Sequence, residues 1–198
     1  AESLRFHPKR HATLIRMKTG AKRDGRLTSV QAELYGDSGA YASLGEKVMT
    51  RATTHATGPY VVGSAKIDCY AMYTNNAPCG AFRGFGVTQS AFAVESNMDI
   101  LAAELGMDPV ALRRINGMQV GTTTATGQVL RFSVGLTECM DKVVGAIQAW
   151  CAASDLPYTR QDGEVRDLWQ PVRVGSKVYA WGLAAGYKNT GLGGGAPD

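Results

Sequence analysis

The residues best suited to chemistry stand in a glycine-rich stretch, residues 74–89, where Arg83 lies between Phe82 and Gly84 and is followed by Phe85. A strand-like run precedes this stretch, and a periodic, helix-like run follows it. Glycine lets the backbone approach a ligand closely, and the free N–H groups at a helix start attract anions. The pattern predicts a loop that holds a negatively charged ligand. A plain glycine-rich connector is an equally good interpretation of the local pattern.

Other reaction chemistries find little support in the residue types. A catalytic triad needs a base beside a nucleophile, and none of the three histidines lies in a GxSxG context. The histidines also lack the short, regular spacing of metal ligands, and no two cysteines form a CxxC pair. These patterns disfavour a hydrolase, and they disfavour a zinc or iron–sulfur site built from this chain.

A dinucleotide-binding turn has the same order of strand, glycine-rich loop and helix, but its fingerprint is incomplete here. Gly84-Phe85-Gly86 is followed by Val87-Thr88-Gln89, so the third glycine that permits close helix packing is missing. No βαβ alternation is evident around the loop, and no GxxxxGK[ST] sequence is present. Any phosphate in this loop must be held by other means.

The composition is that of a globular protein without a nucleic-acid or membrane signature. The 198 residues, 44% of them hydrophobic and 19% charged, suffice for one or two domains with a core. The net charge of +4 is too small and too dispersed to favour nucleic acid. Basic residues gather at Lys9-Arg10-His11 and Lys22-Arg23, which we interpret as a solvated face. No apolar run approaches the length of a membrane span.

The cysteines and the chain ends bear on the cellular compartment. Four widely spaced cysteines fit reduced thiols in a cytoplasmic protein better than a secreted disulfide framework. The first residues have no signal-peptide layout and no initiator methionine, and the chain stops in a glycine-rich, loop-like stretch. We therefore expect a cytoplasmic chain that is a piece of something longer.

The first half of the chain predicts strands and turns that lead to the glycine-rich loop. Residues 13–18 and 27–35 read as a hairpin around Asp24-Gly25, with one apolar and one polar face on the second strand. A turn at residues 36–41 follows, and residues 44–54 are a mixed run that fits a short helix. Residues 65–73, rich in β-favouring side chains, form a strand that ends at the loop.

The second half predicts helices. Apolar residues recur at steps of three and four over residues 88–105, Gly106 supplies a C-cap, and Asp108-Pro109 starts a further helix with Leu112 and Ile115 inward. A later helix begins near Thr137 and buries one stripe, made of Met140, Val143, Val144, Ile147 and Trp150. Residues 154–172 read as a surface connector and residues 177–184 as a final strand. Hairpins combined with grouped helices indicate an α+β fold.

An ordered set of motifs resembles a known family. It consists of Tyr35-Gly36-Asp37-Ser38-Gly39-Ala40-Tyr41, Ala81-Phe82-Arg83-Gly84-Phe85-Gly86 and Leu105-Gly106-Met107-Asp108-Pro109, with Gln89, Glu95, Met98-Asp99, Arg113 and Asn116. From about residue 6 to residue 147 the chain is similar to the molybdopterin-binding subunit of the xanthine dehydrogenase and aldehyde oxidase family. The resemblance implies part of a molybdopterin-binding domain, with its first part in residues 1–150. Residues 151–198 would then be a connector and the truncated start of a second subdomain.

The resemblance implies site residues. It places Arg83 at the molybdenum cofactor together with the flanking Phe82 and Gly84, and it places Phe85 against a flat substrate ring. It also matches Arg51 to an arginine that contacts the substrate in xanthine-oxidising members. There a fixed guanidinium stabilises the negative charge that builds on the heterocycle during hydroxylation. A surface arginine at position 51 and a core phenylalanine at position 85 remain alternative interpretations.

The parts that the family has and this chain lacks define the expected partners. No counterpart is present for an earlier cofactor loop or for the general-base glutamate near the C-terminal end of family members, so no catalytic residue is assigned. The pterin holds the metal in this family, so no side chain here need ligate it. Iron–sulfur and FAD centres would belong to partner domains or subunits, together with the remaining molybdopterin-binding segments.

The function implied is that of a fragment of a molybdenum hydroxylase. A xanthine dehydrogenase-like enzyme would hydroxylate an N-heterocycle with oxygen from water and pass the electrons to iron–sulfur and flavin centres; the fragment alone would be inactive. An aldehyde, nicotinate or aromatic-compound oxidoreductase of the same family is the alternative. A non-catalytic structural or interaction module is the alternative from another class.

Overall fold

A computed structural model describes residues 2–153 and 168–188, and its first half is built on a three-stranded mixed sheet. After a short helix α1 (Glu2–Phe6), strand β1 (Thr13–Ala21) pairs antiparallel with β2 (Leu27–Gly39). Helix α2 (Gly45–Thr54) then crosses over to β3 (Ser64–Tyr73), which runs parallel to β2. The strand order is β1-β2-β3, so β2–α2–β3 forms a βαβ unit that the sequence did not reveal.

Three helices and a small hairpin follow the sheet. Helix α3 (Val87–Leu105) and helix α4 (Pro109–Asn116) are adjacent in sequence, and helix α5 (Leu136–Ala153) comes later. Strands β4 (Val172–Val174) and β5 (Lys177–Tyr179) form the hairpin. The α+β class predicted from the sequence is therefore confirmed.

The core lies between one face of the sheet and the helices. Ala32 and Leu34 of β2 are fully buried and pack with Met49 and Ala52 of α2. A second cluster joins the sheet to α3 and α4 and consists of Leu27, Tyr60, Val94, Met98, Ala102 and Leu112. Ala32 and Leu34 are two residues apart and therefore share one face of β2, and that face packs on α2.

A buried charged network connects α3, α4 and the segment 181–188. The Glu95 carboxylate accepts hydrogen bonds from Arg113 Nε at 2.8 Å, Tyr60 Oη at 2.6 Å and the Ala185 amide at 2.8 Å. Arg113, which is fully buried, also lies 2.8 Å from Asp99. Burial alone would lower the pKa of Arg113, but the adjacent Glu95 carboxylate raises it above the ordinary value. For Tyr60, in contrast, burial raises the pKa, so its phenol stays protonated and donates to Glu95.

Most predicted elements are confirmed. Gly25 has φ +87° in the predicted hairpin turn, and residues 44–54 do contain a helix. Gly106 caps α3 in the left-handed conformation, and the Asp108 side chain caps α4 by accepting from the Ala111 amide.

Other predictions were wrong in detail. The turn predicted at residues 36–41 is mostly strand, because β2 continues to Gly39. Ile115 is 44% exposed rather than inward. Asn116 takes the inward position instead, since its side chain bonds the Gly25 carbonyl and the Leu27 amide, each at 2.8 Å.

The predictions for the C-terminal part were also wrong in places. On α5, Met140 is buried as predicted, but Val143 and Trp150 are about half exposed, and Trp150 contacts Trp181 edge-on. The final strand ends at Tyr179 rather than at residue 184. Residues 154–167, the main part of the predicted connector, lie outside the described residues. No helix in the described ranges is both long enough and apolar enough to span a membrane.

Replacing Arg113 with alanine should lower the free energy of unfolding by about 3–5 kcal/mol, because Glu95 would stay buried without its cation. Arg114→Ala is the matched control. Its guanidinium pairs with Asp141 on the surface, and an exposed pair contributes about 0–1 kcal/mol. Urea unfolding of both variants at pH 7 measures the difference, and similar losses would contradict the role assigned to the Glu95–Arg113 pair.

Candidate functional site

The glycine-rich loop contains a short segment of unusual backbone, residues 82–86, which we call the 82–86 bend. Gly84, Phe85 and Gly86 have φ values of +98°, +51° and +101° in succession. For a phenylalanine such a conformation costs about 1–3 kcal/mol, so contacts around the bend must hold it. The Phe85 amide donates to the Phe82 carbonyl at 2.7 Å and closes the turn. Backbone strain of this kind is typical of functional sites.

One side of the bend packs directly on helix α2. A Cβ added at Gly86 would collide with the Val48 carbonyl oxygen and would lie 2.9 Å from the Ala52 amide. Glycine is therefore required at position 86 both for its dihedral angle and for this close approach. The contact brings the bend next to the helix that carries Arg51, although the two are separated by more than thirty residues in sequence.

The N-terminus of α3 offers fewer free donors than its sequence indicated. The Val87 amide donates to the Gly84 carbonyl at 3.1 Å, and the Gln89 and Ser90 amides both donate to the Gly86 carbonyl. These N–H groups are therefore used within the bend itself. An anion at this end of α3 would depend on the remaining amides and on the exposed Arg83 side chain.

The other side of the bend is contacted by Arg10, from the segment before β1. Arg10 Nη2 donates to the Arg83 carbonyl at 2.7 Å, and Nη1 donates to Thr88 Oγ1 and to Gln89 Oε1. The Arg10 guanidinium also lies 4.9 Å from the centroid of the Phe82 ring. The solvated face predicted at residues 9–11 is wrong for Arg10, because these contacts are long-range and invisible in the local pattern.

The prediction of a solvated face is also wrong for His11, which is 2% exposed. Neither ring nitrogen has a hydrogen-bond partner within the described part of the chain, and the buried Ser38 Oγ also lacks one there. Burial lowers the pKa of His11, against the opposing effect of Asp37, so the ring stays neutral at pH 7.

The start of the glycine-rich loop is tied to the end of β2 by Asp37. The Asp37 carboxylate accepts from Thr74 Oγ1 at 2.6 Å, from the Gly39 amide at 2.8 Å and from the Asn76 side-chain amide. The bonds from Thr74 and Asn76, followed by that from Gly39, lower the pKa of Asp37. Sequence reasoning assigned this aspartate no role, although an Asp followed two residues later by Gly is a signal for such a local bond.

The site residues predicted from the sequence lie on two elements, the 82–86 bend and helix α2. Phe82 and Arg83 are exposed on the bend, whereas Gly84 and Phe85 are half-buried in it. Arg51 is 2% exposed and lies on the buried side of α2. Its carbonyl accepts from Thr54 Oγ1 at 3.1 Å and from the His55 ring at 3.0 Å. Packing of Gly86 on α2 brings these two groups of residues into adjacent elements.

A family model now connects this geometry with known proteins. The model described as the molybdopterin cofactor-binding domain matches residues 1–117, which include the sheet, α3, α4 and the 82–86 bend. The chain belongs to this family. The sequence predicted molybdopterin as the cofactor, and membership of this family confirms that prediction.

Several enzymes contain a region that is similar to this chain. The chain is 53% identical over 141 residues to the nicotinate dehydrogenase large molybdopterin subunit of Eubacterium barkeri, covering 71% of this chain and 33% of that subunit. It is 43% identical over 115 residues to a probable xanthine dehydrogenase subunit of Bacillus subtilis, covering 58% and 15%. The solved aldehyde oxidoreductase of Desulfovibrio gigas superposes with a TM-score of 0.70 at 32% identity, over 77% of this chain and 17% of that protein. The chain thus spans a third or less of these relatives.

The residues present fit a molybdopterin cofactor. The 82–86 bend is glycine-rich, exposes the Arg83 guanidinium at its surface, and is held by packing and hydrogen bonds on both sides. Such a bend suits an anionic, phosphate-bearing cofactor, because a guanidinium binds phosphate oxygens and glycine permits close approach. Within residues 2–153 and 168–188, no three His, Cys, Asp or Glu side chains converge on a possible metal site.

Gly86→Ala should displace the bend from α2. Both Gly86→Ala and the control Gly127→Ala place alanine at a positive φ, but a Cβ at Gly127 has no atom within 4 Å. We expect Gly86→Ala to lower the free energy of unfolding by about 1–3 kcal/mol more than the control, because of the added collision. It should also speed tryptic cleavage after Arg83. Equal losses in the two variants would contradict the proposed packing.

Asp37→Asn should destabilise the chain at pH 7 and much less at low pH. The folded state lowers the pKa of Asp37, so the carboxylate adds stability above its ordinary pKa, and that stability is lost as pH falls through the depressed folded value. Urea unfolding at pH 7 and near pH 3 measures the difference. Asp24→Asn, which removes an exposed carboxylate beside Arg26, is the control. A destabilisation by Asp37→Asn that is independent of pH would contradict a role for the charge.

Proposed function

We propose that the chain is part of the molybdenum-binding subunit of a hydroxylase that acts on an N-heterocycle. The 53% identity to a nicotinate dehydrogenase subunit carries this proposal, together with 43% identity to a xanthine dehydrogenase-type subunit. Among N-heterocycles, the higher identity favours a nicotinate-type substrate over the xanthine-type substrate that Arg51 suggested from sequence. The aldehyde-type alternative has its support in the similarity to aldehyde oxidoreductase.

The reaction is the oxidative hydroxylation of a ring carbon. A C–H bond is replaced by C–OH with oxygen from water. Two electrons leave the substrate, and two protons are released, one from the C–H bond and one from water. When bound, the molybdenum cofactor supplies the chemistry that accepts these electrons. We propose that iron–sulfur and FAD centres on partner domains or subunits carry them to an acceptor, in a reducing, cytoplasmic compartment. None of the four cysteines forms a disulfide in the described residues, which supports such a compartment.

The residues of this chain bind and orient the reactants. We assign the backbone of the 82–86 bend and Arg83 to the cofactor, with Phe82 and Gly84 beside them. The half-buried ring of Phe85 stacks on the substrate and fixes its plane. The Arg51 guanidinium, on the helix against which the bend packs, stabilises negative charge on the ring. A buried guanidinium has a stronger electrostatic effect than an exposed one, because water screens it less.

Arg51→Ala in the parent enzyme tests the assignment to the substrate. Loss of a charge that stabilises the transition state should lower the turnover of nicotinate and xanthine by about 10²–10³-fold, with a smaller effect on aldehydes. Arg114→Ala, a surface variant, is the control and should match the wild type. Molybdenum content and melting temperature, measured on each variant, separate a loss of chemistry from a loss of folding.

Three outcomes would overturn parts of this proposal. Unchanged heterocycle turnover in Arg51→Ala would remove Arg51 from the substrate site. A purified parent protein that contains neither molybdenum nor pterin would support the structural or interaction module instead. Wild-type turnover of aldehydes alone would favour the aldehyde-oxidising alternative.

A further inference from the structure

Arg10 contacts the chain on both sides of the three strained residues of the 82–86 bend, at residues 82–83 and at residues 88–89. In the first part of the bend, it donates to the Arg83 carbonyl at 2.7 Å and lies over the Phe82 ring. After the bend, it donates to the side chains of Thr88 and Gln89. One guanidinium, from a residue more than seventy positions upstream, thus connects both ends of the strained segment.

The chemistry of arginine suits this bridging role. A guanidinium is planar and presents its N–H donors in a fixed fork, so its two terminal nitrogens can reach different acceptors at the same time. Here Nη2 donates to the Arg83 carbonyl within the bend, and Nη1 donates to Thr88 Oγ1 shortly after it. The flat face of the guanidinium also packs on Phe82 as a cation–π contact. A lysine has a single ammonium group on a flexible stem in place of this rigid fork, so it would hold the same acceptors less firmly.

Arg10 also determines the direction of one backbone donor. The Arg83–Gly84 peptide is trans, since the described chain has no cis peptide bond, and a peptide group is planar. Its carbonyl points at Arg10, so the Gly84 N–H points to the opposite side of the bend. Holding the carbonyl therefore aims this amide, because it limits rotation of the peptide group between Arg83 and Gly84.

The two sides of the bend are held in different ways. On the α2 side, the backbone of Gly86 is wedged against Val48 and Ala52. On the Arg10 side, Phe82 is 46% exposed and Arg83 is also exposed. Within the described residues, Arg10 connects residues 82–83 to the segment before β1, and the hydrogen bond from the Phe85 amide to the Phe82 carbonyl closes the turn.

We propose that Arg10 is a positioning residue for the cofactor and substrate site of the parent enzyme. It holds the Arg83–Gly84 peptide and the Phe82 ring in the geometry that the reaction requires and touches none of the reacting atoms itself. This inference rests on the proposed function, which assigns the bend to the cofactor. Displacement of a site residue by about 1 Å can lower the rate about 10²-fold, so the loss of such a contact should be measurable in kinetics.

The test compares three variants of the parent enzyme: Arg10→Met, Arg10→Lys and the control Arg16→Met. Arg16 is an exposed arginine of β1 whose guanidinium lies 3.9 Å from Glu33. Arg10→Met should lower kcat by about 10- to 100-fold and alter the electron paramagnetic resonance signal of the molybdenum centre. Its melting temperature should stay within about 2 °C of the wild type. Arg10→Lys should recover part of the rate, and Arg16→Met should match the wild type.

Each other outcome overturns the inference. Arg10→Met with the wild-type rate and resonance signal shows that the bend keeps its geometry without Arg10. A fall in rate that matches a fall in melting temperature, with no recovery in Arg10→Lys, shows a structural role only. Should Arg10→Met fail to fold, the signal of Arg10→Lys decides by the same criterion, altered for a positioning role and unchanged against it.

The resonance signal is recorded in the absence of substrate, from enzyme partially reduced with dithionite, so the two proposals fail separately. A wild-type enzyme that hydroxylates neither nicotinate nor xanthine overturns the proposed function. The comparison of signals between the wild type and the Arg10 variants then still reports whether Arg10 positions the bend at the molybdenum centre.

Discussion

Glu95 and Arg113 meet in the interior between α3 and α4, and the arrangement of the described structure depends on this pair. Removing two charges from water is costly, and the cost is offset only when further hydrogen bonds satisfy both groups. Here Tyr60 and the Ala185 amide bond the carboxylate, while Asp99 and the Pro109 carbonyl bond the guanidinium. The network therefore fixes four parts of the chain at one point. It also joins α3, which begins directly after the 82–86 bend, to α4 and to the segment 181–188.

The 82–86 bend shows how strain is held at a site of this kind. Three successive positive φ values, one of them at a phenylalanine, are unfavourable for an isolated segment. Main-chain packing on α2 holds one side, and the guanidinium of Arg10 holds the other. The bend is thus supported by Arg10, Val48 and Ala52, all of which lie thirty or more positions before it in the sequence. Its geometry depends on the whole sheet-and-helix unit and cannot be a property of the loop sequence alone.

Membership of the molybdopterin cofactor-binding domain family gives this support a purpose. The chain covers 33% of the nicotinate dehydrogenase subunit and 17% of the aldehyde oxidoreductase chain that it matches. Under the proposed function, the residues of the bend and of α2 form one wall of a site that the rest of the parent enzyme completes. Such a wall is useful only if it keeps its shape when the other parts assemble on it. Rigid packing on one side and a bridging arginine on the other meet that requirement.

The sequence by itself determined the elements that depend on local periodicity and local chemistry. The hairpin at Gly25, the stripe of α3 and the caps at Gly106 and Asp108 follow from patterns within a few residues, and so does the family motif around Arg83. Only the tertiary structure decided the rest. Arg10 and His11 read as solvated charge because nothing near them in sequence shows their surroundings in the fold, and the partners of Arg10 lie more than seventy positions away. Ile115 was misplaced because Asn116 competes for the same face through bonds to a distant hairpin. Long-range hydrogen bonds leave no periodic signal, so the contacts that hold the bend became visible only in the fold.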